Sequence, residues 1–136
     1  MIQQFEITLP HFRRGFHLIS DIIYQQIGSL PEQGLMNVFI KHTSAALALN
    51  ENYDPDVRID FDEYLNHLVP ENTPYFTHVS EGSDDMPAHI KSSLIGQSLT
   101  IPITNQRFNT GTWQGIYLCE FRNNGGCRKV VITLYS

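Results

Sequence analysis

Six histidines stand in this chain of 136 residues, and three of them sit among neighbours that could do chemistry with them. Histidine titrates near neutrality and is the commonest metal ligand. His42 is followed by Thr43 and Ser44. On extended backbone His42 and Ser44 face the same side, which would make either a proton-transfer pair or an imidazole and hydroxyl set that grips a phosphate. The plainer alternative is a strand-end histidine bonded to backbone. His78 and His89 bracket HVSEGSDDMPAH, which brings Glu81, Asp84 and Asp85 to the start of a helix. The two aspartates read as caps and dipole partners of that helix. Asp85 and His89, four residues apart, also share one helix face, with His78 arriving from the loop. That set would bind a divalent metal or act as an acid–base pair. The loop NQRFNTGTWQ, from Asn105 to Gln114, holds the only tryptophan. Its amides around Gly111 could cup an anion beside Arg107, or it is a plain turn with Trp113 in the core. His11, His17 and His67 read as surface or capping residues.

The elements that must position these residues are read from periodicity. Ile2 to Leu9 alternates, with Phe5, Ile7 and Leu9 on one face, and Pro10 ends it. Ser20 is placed to cap a helix striped by Ile19, Ile22, Ile23 and Ile27. Leu35 to Lys41 and Ala45 to Asn50 are strands joined by a hairpin or a bend. Asp54 caps the next helix, Pro55 takes its first position, and Val57, Phe61, Leu65 and Leu68 form its core stripe. A third helix over Met86 to Ile95 should bury Met86, Ile90 and Leu94 and close at Gly96. Leu99 to Ile103 is a strand, and Trp113 to Phe121 and Arg128 to Tyr135 read as a hairpin around Asn123-Asn124-Gly125-Gly126. Both faces of this hairpin are apolar, with Ile116 and Leu118 on one and Tyr117, Cys119 and Phe121 on the other. A sheet buried on both sides needs a second cover, from another sheet, a helix layer or another subunit. The pattern hints at a sandwich that oligomerises.

The length suits one domain over residues 1–136 with a core that needs no staples. A net charge of -5 argues against a basic stripe for nucleic acid. Cys119 and Cys127 read as free thiols, because their spacing fits no zinc knuckle or redox pair. MIQQFEITLP lacks a basic and apolar leader. No stretch approaches the ~18 apolar residues of a membrane span, so the expected location is the cytoplasm.

Three segments together resemble a known family: HTSAALALNENYDPDV from His42, HVSEGSDDMPAHIKSSLIG from His78 and GTWQGIYLCE from Gly111. They are similar to the YjbQ-like family, often labelled secondary thiamine-phosphate synthase, and the similarity spans nearly the whole chain. The resemblance implies an α+β fold, a small two-sheet sandwich of about seven strands with roughly two to three helices, assembled as a homotrimer. It places the family's histidines on His42, His78 and His89. It places the family's Asn and Asp on Asn50 and Asp54, the strand-end Glu on Glu120, the last-strand Arg on Arg128 and a partly shared acidic position on Glu81. Gln114 joins these as a neighbour, with Thr43 and Ser44 beside His42. Many members follow the strand-end Glu with an Asp-Gly-Pro turn; here the chain runs Phe121-Arg122-Asn123-Asn124-Gly125-Gly126, so ligand choice could differ.

The activity implied is the joining of a hydroxymethylpyrimidine diphosphate to a thiazole phosphate, with release of pyrophosphate. Such a reaction needs a stabilised leaving group, usually with Mg²⁺. His42, Thr43 and Ser44 would donate to phosphate oxygens, and His78 and His89 would hold a metal or protonate the leaving group. A zinc ion held by His42, His78 and His89 is the other metal expectation. The alternatives are a metal- or histidine-dependent phosphate-ester hydrolase with the same three histidines, and a non-enzymatic trimer that binds a small ligand or metal.

Overall fold

The computed structural model describes residues 1–136 as eight strands and three helices. In chain order they are β1 (Ile2–Thr8), β2 (Gly15–Leu18), α1 (Ser20–Ile27), β3 (Gln33–Ile40), β4 (Ala45–Glu51), α2 (Pro55–Leu68), α3 (Asp85–Ile95), β5 (Ser98–Thr104), β6 (Arg107–Phe108), β7 (Gln114–Glu120) and β8 (Lys129–Tyr135). They make two antiparallel sheets, one ordered β1-β8-β3-β5-β6 and the other β2-β7-β4. The sandwich expected from the sequence is therefore present.

Alternation decides what each sheet faces. Met36, Val38 and Ile40 of β3 and Val130, Ile132 and Leu134 of β8 turn inward onto Ile116 and Leu118 of β7, and Ile19, Ile23 and Ile27 of the α1 segment close this main core. The opposite face of β7 does not wait for another subunit. Tyr117 and Cys119, with the adjacent Phe121, form a second core with Phe16, Ala46, Leu65 and Ala88. This core lies beneath α2, which packs on β2, and α3, which packs on β4. The cover demanded by a doubly apolar β7 is thus a helix layer.

Several local expectations change. β7 and β8 belong to different sheets, so the glycine-rich turn between them is a crossover and not a hairpin; Gly126 takes its left-handed φ of 76° there. β3 and β4 likewise bend from one sheet to the other. Ser20 does not cap α1: its hydroxyl accepts the N–H of Ile116 at 2.9 Å and ties the helix to β7. Asp54 does cap α2, accepting the N–H of Asp56 at 2.9 Å, with Pro55 at the first turn. The α2 stripe runs through Leu65 to the buried Val69, while Leu68 is exposed. The register of α3 is rotated from the apolar count. Ala88, Lys91 and Ser92 are buried and Leu94 is exposed, because the Ser92 hydroxyl donates to the carbonyl of Ala45 at 2.8 Å and the Lys91 ammonium to Oδ1 of Asn66 at 2.6 Å. The Ser92 hydroxyl is satisfied and so buries at little cost, whereas the Lys91 ammonium is a charge and remains costly to bury even with its partner. Neither cysteine forms a disulfide; Cys119 is buried and Cys127 exposed, and burial pushes the Cys119 thiol up, away from thiolate reactivity. No helix is long and apolar enough to cross a membrane.

Candidate metal centre

Four segments meet at one end of the three-stranded sheet. They are the bend before β4, the loop after α2, the first turn of α3 and the turn after β7. The i, i+4 spacing puts Asp85 and His89 on one face of α3, as the sequence predicts, and His78 comes in from the loop. Nε2 of His78 lies 2.6 Å and Nε2 of His89 3.1 Å from the same carboxylate oxygen, Oδ2 of Asp85. These three ligand atoms lie within 4.8 Å of one another. Asp85 is buried, whereas the two rings are partly open to solvent.

The other contacts restrict how these groups can act. Nδ1 of His89 lies 2.9 Å from the carbonyl oxygen of Thr43. A carbonyl only accepts, so Nδ1 carries a proton. Nε2 then meets Asp85 either as the second N–H of an imidazolium or as a lone pair sharing a cation with the carboxylate. Oδ1 of Asp85 accepts from the Arg122 guanidinium at 2.5 Å. Burial pushes the Asp85 carboxyl up, but the His78 hydrogen bond and then the charges of His89 and Arg122 outweigh it, so Asp85 stays below the usual carboxylate range. Asp84 is not a cap in the side-chain sense. Its Oδ2 accepts from Arg122 Nε at 3.0 Å and from the Asn123 N–H at 2.9 Å. Burial raises it, and these two donors bring it below its ordinary value. Glu81 is exposed, 3.9 Å from His78.

His42 occupies a different position in this cluster from the one expected. Its Nε2 accepts the backbone N–H of Lys129 at 2.8 Å. The neutral ring then carries its proton on Nδ1, and no lone pair is left for a metal. The grouped side chains are therefore His78, Asp85 and His89, the set that helical spacing suggests, and not the His42, His78 and His89 set that follows from the family resemblance. Burial, and after it the charge of Arg128, lowers the His42 pKa. Ser44 is buried and does not stand beside His42 as an open hydroxyl; it accepts from Arg128 at 2.9 Å. Arg128 and Glu120 form a buried two-pronged ion pair, at 2.7 Å from Nε to Oε1 and 2.6 Å from Nη2 to Oε2. These two residues support the site from inside and present no face to a ligand.

Asn50, Asp54 and Gln114 lie elsewhere. β4 and β7 pair from Ala45 opposite Glu120 to Glu51 opposite Gln114. At ~3.3 Å per residue the two ends are about 20 Å apart, so one small ligand cannot touch both within one chain. Oδ1 of Asn50 accepts the Glu51 N–H, and Oε1 of Gln114 accepts the Gly111 N–H at 2.9 Å. The Gly111 amide is therefore occupied and forms no anion cup, Arg107 sits on β6 of the other sheet, and Trp113 is exposed against Tyr53. The sequence reading missed the part played by Arg122. Its only signal was its place in the unusual turn after Glu120.

The family profile described as UPF0047 protein YjbQ-like matches residues 4–136. A UPF0047 protein YjbQ from Salmonella typhimurium is 50% identical over 136 residues, which is 98% of each chain. The UPF0047 protein YugU of Bacillus subtilis is 37% identical over 105 residues, 74% of this chain and 77% of that one. Among solved structures, a conserved hypothetical protein from Thermus thermophilus superposes with a TM-score of 0.86 at 30% identity, covering 96% of this chain and 99% of that one. An uncharacterized conserved protein of the yjbq/upf0047 family from Clostridium acetobutylicum gives 0.83 at 34% identity, with 96% and 99% covered.

Proposed function

The chain belongs to the YjbQ-like UPF0047 family, and on that premise we propose that it holds a divalent metal at His78, Asp85 and His89 and acts there on a phosphorylated small molecule. One observation carries this reading: two imidazole Nε2 atoms converge on a single carboxylate oxygen, with one ring oriented by a backbone carbonyl through its other nitrogen. Carbonyl–histidine pairs of this kind orient metal ligands. Two nitrogens and one oxygen suit a zinc-type ion better than Mg²⁺, which prefers an all-oxygen shell.

When bound, such an ion supplies Lewis acidity and a water of lowered pKa. The chain's own residues do the rest. His78, Asp85 and His89 hold the ion. His42 offers Nδ1–H as a donor to a phosphate oxygen, because its Nε2 is committed to Lys129. Lys129 stands beside it on β8 and adds positive charge at this end of the sheet, while the neighbouring Lys41 is paired with Glu6. A cavity of about 110 Å³ beside His78, walled by Phe76, Val79 and Met86, has room for one flat ring.

The reaction we propose is the family-type condensation, in which the bond between a pyrimidine methylene carbon and a pyrophosphate oxygen breaks and a thiazole phosphate takes the carbon. The donor set favours a second reading, phosphate-ester hydrolysis with water as nucleophile. We propose a homotrimer as the working unit and the cytoplasm as its location. The trimer is supported by the exposed outer face of the five-stranded sheet, where Ile2, Tyr135 and Leu35 form one cross-strand row.

Metal content and product release test this directly. Purified protein should carry a stoichiometric zinc-type ion that His78→Ala and His89→Ala lose. Pyrophosphate should appear only when both the pyrimidine diphosphate and the thiazole phosphate are supplied. Orthophosphate released from a single ester replaces the condensation with hydrolysis. Ligand binding without turnover leaves the non-enzymatic trimer, and metal content indifferent to both substitutions ends the metal reading.

A further inference from the structure

We infer that Arg122 is a positioning residue for this centre: it holds Asp85 so that the carboxylate gives the ion one oxygen, Oδ2, and keeps the other, Oδ1, away from it. The inference rests on the reading that His78, Asp85 and His89 hold a metal. Arg122 spreads its whole fork over the first turn of α3. Its Nη1 donates to Oδ1 of Asp85 at 2.5 Å, its Nε to Oδ2 of Asp84 at 3.0 Å and its Nη2 to the carbonyl oxygen of Glu81 at 3.0 Å. Asp84 is itself buried and anchored by the Asn123 N–H at 2.9 Å, so the guanidinium is clamped on the loop side and on the helix side together. A planar fork can do this; a single ammonium cannot.

The chemical consequence concerns denticity. A free aspartate can turn to chelate an ion through both oxygens, which suits larger, oxygen-seeking ions such as Ca²⁺. With Oδ1 held by Arg122, Asp85 binds through Oδ2 alone. Two imidazoles and one carboxylate oxygen then leave an open position on a small four-coordinate ion, the arrangement that catalytic zinc-type sites use. Arg122 touches neither the ion nor a substrate in this scheme. It acts by orienting a ligand, and such supporting partners are worth about 10- to 100-fold in metal affinity.

Cobalt(II) tests this, because its absorption spectrum reports coordination number independently of any activity. Full-length wild type, Arg122→Ala, Arg122→Lys and His89→Ala would be titrated with Co²⁺ against a chelator, and Ca²⁺ binding would be measured in parallel. Wild type should bind Co²⁺ with the intense visible bands of a low-coordinate site. Arg122→Ala should bind it about 10- to 100-fold more weakly, with weaker bands and a relative gain for Ca²⁺. Arg122→Lys should recover part of the affinity. If Arg122→Ala keeps wild-type affinity and spectrum while His89→Ala loses the ion, the positioning role is wrong and the metal centre stands. If wild type binds no Co²⁺, or His89→Ala binds it as well as wild type, the metal reading falls and this inference with it. Should Arg122→Ala fail to fold, Arg122→Lys and Asp84→Asn decide: wild-type affinity and spectrum in both overturn the inference.

Discussion

The backbone N–H of Lys129 donates to Nε2 of His42 at 2.8 Å, joining the first residue of β8 to the bend before β4. This bond exists only while the ring is unprotonated at Nε2. Burial first, and the Arg128 charge second, hold the His42 pKa below its ordinary value of 6.5. An unfolded chain therefore takes up this proton before the folded one as the pH falls. The stability tied to His42 is complete above about pH 6.5 and is lost as the pH drops through the lowered folded value. Urea unfolding at about pH 7.5 and 5.5 should show a smaller loss on acidification in His42→Gln than in wild type. Equal losses in the two proteins would remove His42 from the pH response.

The same bond sets His42 apart from the proposed metal ligands His78, Asp85 and His89. His42→Ala should leave metal content at the wild-type level while weakening the binding of a phosphorylated ligand by about tenfold, the worth of one hydrogen bond to a charged group. Metal analysis and isothermal titration on one sample check both halves. Loss of the ion together with the ligand would return His42 to the ligand set.

Glu120 and Arg128 are wholly interior, and their role is structural support of the bend that carries His42 and Thr43. Arg128→Met removes the partner of a buried carboxylate and should cost about 3–5 kcal/mol in urea unfolding. Gly125 reports on the same pair from the turn. A Cβ there would overlap Oε1 of Glu120 and sit 2.7 Å from Nη2 of Arg128, so Gly125→Ala must spread the ion pair and should also destabilise, by about 1–3 kcal/mol. A Gly125→Ala protein as stable as wild type would show that the turn can move without disturbing the pair.

What the sequence disclosed follows from which forces leave periodic traces. Asp54 and Pro55 announce the start of α2 because a cap and a fixed φ are local properties. Asp85 and His89 announce their shared face because helical spacing is local too. The rotation of α3 left no such trace. Lys91 and Ser92 are buried through bonds to Asn66 and the Ala45 carbonyl, both distant in sequence, and apolar counting ranks them as surface. The crossover after β7 was hidden for a related reason. Asn123-Asn124-Gly125-Gly126 permits a hairpin, and only the separate pairing of β7 with β4 and of β8 with β3 decides against it. Arg122 was invisible because an arginine in a turn is ordinary until Asp84, just before α3, and Asp85, its first residue, meet it.

Lys91 carries a measurable penalty of burial. Desolvation, and after it the Arg14 charge, lowers its pKa from 10.5 to about 8. The folded chain releases this proton before the unfolded chain does. Stability should therefore rise with pH between about 8 and 10.5, where the unfolded chain binds more protons. Lys91→Met fills the same space without a charge, and Oδ1 of Asn66 keeps the Arg14 donor at 2.8 Å. The substitution should raise stability near neutral pH by about 1 kcal/mol and flatten the rise at alkaline pH. A loss of stability at both pH values would show that the Lys91–Asn66 bond contributes more than the desolvation costs.

The five-stranded sheet leaves one face without cover. Ile2, Tyr135 and Leu35 lie side by side in the β1–β8–β3 register, and Phe39 and Val131 form a second pair on the same face. Ile2, Leu35, Phe39 and Tyr135 are all exposed in the single chain. The second apolar face of β7 is covered by α2 and α3 and gives no reason for assembly, so the proposed trimer rests on this outer row. Light scattering should give the mass of three chains, and Leu35→Glu with Phe39→Glu should reduce it to one, because charges in a desolvated interface are costly. Exposed positions tolerate such changes with little effect on the monomer, about ±0.5 kcal/mol each, so the far-ultraviolet circular dichroism spectrum should be unchanged. A monomeric wild type would end the trimer proposal. A trimer that survives both charges would move the interface to another face.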